Sequence, residues 1–257
     1  MVELFLAELN RTWIEFRRYP FEAFGVVFIT TTIFYGLFLS ARYIAGPSLQ
    51  LGERLDAVIV GYVLWSLVVF IIGNISSTLQ FEAQTGTLEQ LFLSKFGALQ
   101  VFLTRSLASL SLQLMINLGI LLVIILLTGS QLNFSVALLP PLLTVILAAY
   151  GVAFAVASLT LVVKRVQQIQ VIIQFGLLFL LATPTETWTG TSKTLAQLLP
   201  MTMGAGLLRD LMARNLPLNW QVWSSALAIS SLYLGVGLLL FYGAEKMVKR
   251  RGVLGGY

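Results

Sequence analysis

The run "LGILLVIILL", residues 118–127, decides the fold class. It is nine aliphatic side chains and one glycine, with no charge and no alternation. A membrane β-strand alternates apolar and polar residues, so that one face meets lipid and the other the lumen. A segment apolar on every side is stable in lipid only as a helix, which satisfies its own backbone. The run lies inside a longer uncharged stretch, 106–128, and a span needs about 20 such residues. The rest of the chain is similar. Of its 257 residues, 58% are hydrophobic and 11% charged, where soluble domains carry about 25% charged residues. The expected class is all-α, a polytopic membrane protein.

The sequence has no cysteine and no histidine. Disulfides, thiol nucleophiles, Cys/His metal sites and histidine acid–base chemistry are therefore excluded. The formal charge of +5 belongs to the loops of a membrane protein, and nucleic acid is not an expected partner. The opening "MVELFLAELNRTWIEFRRYP" lacks a basic start followed by an apolar core, so no cleavable signal is expected.

That opening segment, 1–19, reads as a helix lying in the membrane surface. Val2, Phe5, Leu6, Leu9, Trp13 and Phe16 share one face, while Glu8, Arg11, Thr12, Glu15 and Arg18 take the other, and Pro20 ends it. Six transmembrane spans follow, at about 24–40, 57–78, 106–128, 134–163, 169–183 and 222–244. The fourth is long enough to tilt or to break near Pro140-Pro141, and the fifth is the shortest. With the N-terminus inside, eleven of the 16 Lys and Arg fall on the cytoplasmic side, so both termini are expected in the cytoplasm. Between the last two spans, 184–221 reads as an extracytoplasmic helical excursion. There Leu207, Leu208, Leu211 and Met212 form an apolar face, and Arg209, Asp210 and Arg214 are expected to stay wet. At the C-terminal end, Lys246, Lys249, Arg250 and Arg251 suit the anionic inner leaflet, so membrane lipids are expected partners. The whole of 1–257 reads as a single transmembrane domain.

The most polar stretch of the first half is the loop "QFEAQTGTLEQLFLSKFG", 80–97. Thr87 and Gln90 have capping-box spacing, and Gly86 permits a sharp turn before them. Glu89 lies in the first turn, where the helix dipole favours an anion. Leu88, Leu91 and Phe92 form an apolar face, and Gly97 can end the helix. The loop, 82–97, therefore encodes a short capped amphipathic helix on the cytoplasmic side. Such a helix docks into a groove on another protein or rests on lipid.

The same loop resembles the signature of ABC exporter permeases of the type 2 class, roughly Glu-x-x-x-Gly-Thr-Leu-Glu-x-Leu. The matching residues are Glu82, Gly86, Thr87, Leu88, Glu89 and Leu91. The family usually continues Ser-Pro, whereas here Ser94 is followed by Lys95-Phe96. The resemblance implies that this is a coupling helix, with Phe92 on its docking face, inserting into a separate ABC ATP-binding subunit. That subunit would bind ATP and magnesium; no cofactor is expected in this chain. It also implies a dimer with a second permease copy or paralogue, in a plasma membrane of the bacterial inner-membrane type.

The charged residues can all be placed at or beyond span ends, which argues against an ion-coupled carrier. No G-x-x-x-x-G-K-[ST] phosphate loop occurs in the 257 residues, and no enzymatic activity is expected of this chain. Polar residues inside the spans are candidates for the translocation path: Ser66, Asn74, Ser77 and Gln80 on the second, Gln167, Gln170 and Gln174 on the fifth. Tyr62 and Trp65 add aromatic surface. Hydrogen bonding between helices is the competing reading, favoured for Ser109, Gln113 and Asn117 on the third span. In the resembling family the second and fifth spans face the route. The expected function is export of a lipophilic or lipid-linked substrate. Lipid-linked polysaccharide or haem-type export is the near alternative, and a non-energised scaffold or channel the distant one.

Overall fold

The computed structural model describes residues 2–45, 52–87, 90–91, 97–163 and 167–251, and every regular element among them is helical. Helix α1, Val2–Arg18, ends two residues before Pro20, which opens α2, Pro20–Ala45. Proline suits a first turn because its missing N–H would have no partner there. Helix α3 is Gly52–Gln84 and α4 is Ala98–Thr128. A 3₁₀ turn, Val136–Leu138, leads into α5, Leu139–Val163. Pro140 and Pro141 thus sit in the first turn of α5, and the fourth span is unbroken. Helix α6, Gln167–Ala182, is followed by a second 3₁₀ turn, Thr185–Thr187, then by α7, Gly190–Leu198, α8, Thr202–Met212, and α9, Trp220–Arg251.

Five of these helices are long and apolar enough to cross a membrane: α2, α3, α4, α5 with its leading turn, and α9. Helix α6 is apolar but has 16 residues, which at 1.5 Å per residue reaches about 24 Å.

Helices α3 and α5 form the centre. They pack on each other; α3 also meets α4, α6 and α8, while α5 meets α8 and runs closely along α9. The α5–α9 approach requires glycine, because a Cβ on Gly237 would overlap the Gly151 carbonyl. Helix α2 buries Phe34 but leaves Phe21, Phe24 and Phe28 exposed, and α6 exposes Ile172, Phe175 and Phe179. Apolar surface on this scale needs lipid or a partner.

Two expectations about amphipathic faces are corrected. In α8, Leu207, Leu208, Leu211 and Met212 are buried, but so is Arg209, at 0% exposure. Its guanidinium donates twice to Glu186, from Nε at 2.9 Å and from Nη2 at 2.6 Å. Its other bonds reach the Leu181 and Thr183 carbonyls at 2.7 and 3.3 Å, at the C-terminal end of α6. A cation there meets the negative end of the helix dipole and unsatisfied carbonyls. Arg214 adds a second contact to Glu186 at 3.1 Å. In α1, Glu8, expected on the wet face, is turned inward to Arg105. The need of a half-buried guanidinium for carboxylates decides which way α1 faces.

Candidate functional site: the end of α3 and the groove beside it

The spacing Glu82-x-x-x-Gly86-Thr87 is that of a helix end. Gly86 has φ 74°, the left-handed region where glycine carries no Cβ penalty. Its N–H donates to the Ala83 carbonyl at 3.3 Å, and the Thr87 N–H donates to the Glu82 carbonyl at 3.0 Å. This pair of bonds is a Schellman cap, closing α3 and reversing the chain. The Thr87 hydroxyl donates back to the Glu82 carboxylate. The expected capping box with Gln90 is not made among the described residues; the Thr87 N–H it would use is already donated to the Glu82 carbonyl. The Thr87 carbonyl accepts the Leu91 N–H at 3.2 Å, so a helical turn begins there. Leu91 packs against the core. Leu88, Glu89, Phe92 and Lys95 lie outside the described residues.

The other Glu82 oxygen receives Arg105 Nη1 at 2.6 Å, and Arg105 Nε reaches Glu8 Oε1 at 3.2 Å. The three side chains are 12%, 21% and 13% exposed, so water screens them little. One guanidinium thereby ties α1, α3 and α4 together where the chain turns out of the bundle. Neither Glu8 nor Arg105 was singled out by spacing. The signal available was Arg105 itself, a lone base at the edge of an apolar span, which needs carboxylate partners.

Beside this knot lies a groove of about 560 Å³ between α1, α2, α3 and α4. Tyr62, Trp65, Ser66 and Asn74 line it, four of the nine residues proposed for a path. The Tyr62 hydroxyl donates to the Thr30 carbonyl at 2.9 Å, fixing α3 to α2. Trp65 Nε1 donates to the Gln174 carbonyl at 2.8 Å, fixing α3 to α6. Ser77 is exposed, bonds to its own helix at Asn74, and does not line the groove. Gln167 is exposed, Gln170 and Gln174 are half-buried, and none of the three lines it. The polar stripe of the third span divides. Asn117 Oδ1 accepts from Ser66 at 2.7 Å, a bond between helices, whereas Ser109 and Gln113 line the groove. Glu15 and Glu22 also line it, at the end carrying the N-terminus.

No curated protein matches the chain significantly. The ABC-2 type transporter profile, by contrast, matches residues 3–213. That range takes in every feature just described, from Glu8 to Arg209, and the chain belongs to the ABC-2 type transporter family, whose members are multi-pass permeases of ABC transporters.

Proposed function

We propose that the chain is the transmembrane subunit of an ATP-driven exporter. Two copies, or one copy and a paralogue, pair with two ABC ATP-binding subunits in a bacterial-type inner membrane. Those subunits hold the ATP and magnesium. The chain crosses six times, with α6 as the fifth span, and α7 and α8 form an excursion on the outer side. Residues 82–97 face the cytoplasm, where Glu82, Gly86, Thr87, Leu88, Glu89, Leu91 and Phe92 form the coupling element. The cargo is lipophilic or lipid-linked.

The observation that carries this reading is the knot at Glu82. A push on the loop after Thr87 is passed through the Schellman turn to α3 and through Arg105 to α1 and α4. Three of the four walls of the groove then move with the loop, so closing of the ATPase would reshape it.

The test is copurification from the native host after gentle solubilisation, with a Gly86→Pro/Glu89→Lys variant beside the wild type. Recovery of a nucleotide-binding ATPase with the wild type and its loss with the variant is expected. If no ATPase is recovered while other membrane complexes survive, the non-energised scaffold or channel becomes the better reading.

A further inference from the structure

The groove between α1 and α4 has a definite chemical character. Its volume, about 560 Å³, lies within the range of about 300–1,000 Å³ usual for small-ligand clefts. Phe16, Tyr19, Tyr62, Trp65 and Phe70 give it an aromatic wall. The only charged residues among those lining it are Glu15 and Glu22, although the chain as a whole is basic. Glu15 is engaged by Arg11 at 3.0 Å. Glu22 has no ion pair among the described residues and lies in the first turn of α2. Deeper in, Gln113 is 6% exposed and lines the groove. Its amide offers a donor and an acceptor to a ligand in the groove.

We propose that this groove binds an amphiphilic organic cation. Its positive group lies at Glu22, its apolar body lies against Phe16, Tyr62 and Trp65, and a polar atom reaches Gln113. Aromatic faces attract cations and aliphatic surface alike, and the attraction grows as water is excluded. An anion of the same size meets two carboxylates instead. The proposal names a substrate class for the exporter and rests on that reading for the direction of movement; binding itself needs no ATPase.

The test uses the purified full chain in lipid nanodiscs, with tetraphenylphosphonium and tetraphenylborate as probes of matched size and opposite charge. Saturable binding of the cation above empty nanodiscs, with none of the anion, is expected. Glu22→Gln should weaken cation binding about threefold to fivefold, as loss of one exposed charge contact does. Glu3→Gln, the same charge change on an exposed residue outside the groove, should leave it unchanged. Thermal unfolding of both variants separates a binding defect from a folding defect. Equal binding of the two ions, no saturable binding, or an unaffected Glu22→Gln variant overturns the proposal. Cation binding without any copurifying ATPase leaves the proposal standing and removes the exporter reading. ATPase capture without cation preference does the reverse.

Discussion

Arg105 is shared by two carboxylates from distant parts of the chain, Glu8 and Glu82. Breaking such a set by removing one member is worse than never having had it, because the remaining charge stays buried and unpaired. Arg105→Leu should therefore lose about 2–4 kcal/mol of stability. Adding Glu82→Gln to it should recover part of that loss, since one orphaned carboxylate is gone. Denaturant unfolding in detergent of the two single variants and the double variant checks this, and strictly additive losses would show that the three groups do not act as a unit. The second buried guanidinium makes a prediction in pH. Burial alone would raise the Glu186 carboxyl, but the hydrogen bonds from Arg209 and the charges of Arg209 and Arg214 hold it below its ordinary value of 4.5. A depressed acid contributes stability that is fully present above its unfolded pKa and is lost as pH falls through the folded one. The unfolding midpoint of the wild type should thus fall on acidification below about pH 4.5, and that of Glu186→Gln should fall less steeply from a lower starting value. Parallel curves would contradict the assignment.

At the scale of the element, contact distance separates glycines that look alike in sequence. Gly235 and Gly237 are two residues apart on α9. A Cβ at 237 would strike the Gly151 backbone, and one at 235 would meet nothing within 4 Å. Gly237→Ala should cost about 1–3 kcal/mol as α9 is forced off α5. Gly235→Ala should be neutral or stabilise by up to about 1 kcal/mol through helix propensity. Comparing the two thermal midpoints checks the packing directly. The same logic explains Gly61, whose Cβ would overlap the Leu181 carbonyl where α3 passes the end of α6. Small residues let helix backbones approach closely where no hydrophobic drive between helices exists.

At the scale of the whole molecule the open quantity is how many times the chain crosses. Helix α6 reaches about 24 Å, short of a hydrocarbon core of about 30 Å. Local thinning of the bilayer or polar residues reaching to the interface can make up a few ångströms. If α6 crosses, the loop after α3 and the end of α9 share one side, and α7 lies on the other. The natural absence of cysteine makes this simple to measure. Gln90→Cys and Lys246→Cys should react with a membrane-impermeant maleimide only in inside-out vesicles, and Lys193→Cys only in right-side-out ones. Gln90→Cys and Lys193→Cys reacting from one side, with Lys246→Cys reacting from the other, would mean that α6 does not cross.

What the sequence determined by itself was whatever depends on neighbours along the chain. The membrane class follows from uncharged runs such as 118–127, and the place of each long helix follows from where those runs begin and end. The turn at Gly86 follows from its spacing to Glu82. In each case the causes are local: helix periodicity, backbone sterics and the cost of charge in lipid. Only the tertiary structure decided what each face meets. Glu8 and Arg105 are 97 residues apart in sequence, and Arg209 and Glu186 are 23 apart. Periodicity gives the direction in which a side chain points around its helix but not the helix that will stand opposite. For that reason Arg209 and Glu8 read as wet residues. The groove too is a product of packing, because α1, α2, α3 and α4 must be brought together before Glu22, Trp65 and Gln113 enclose one space.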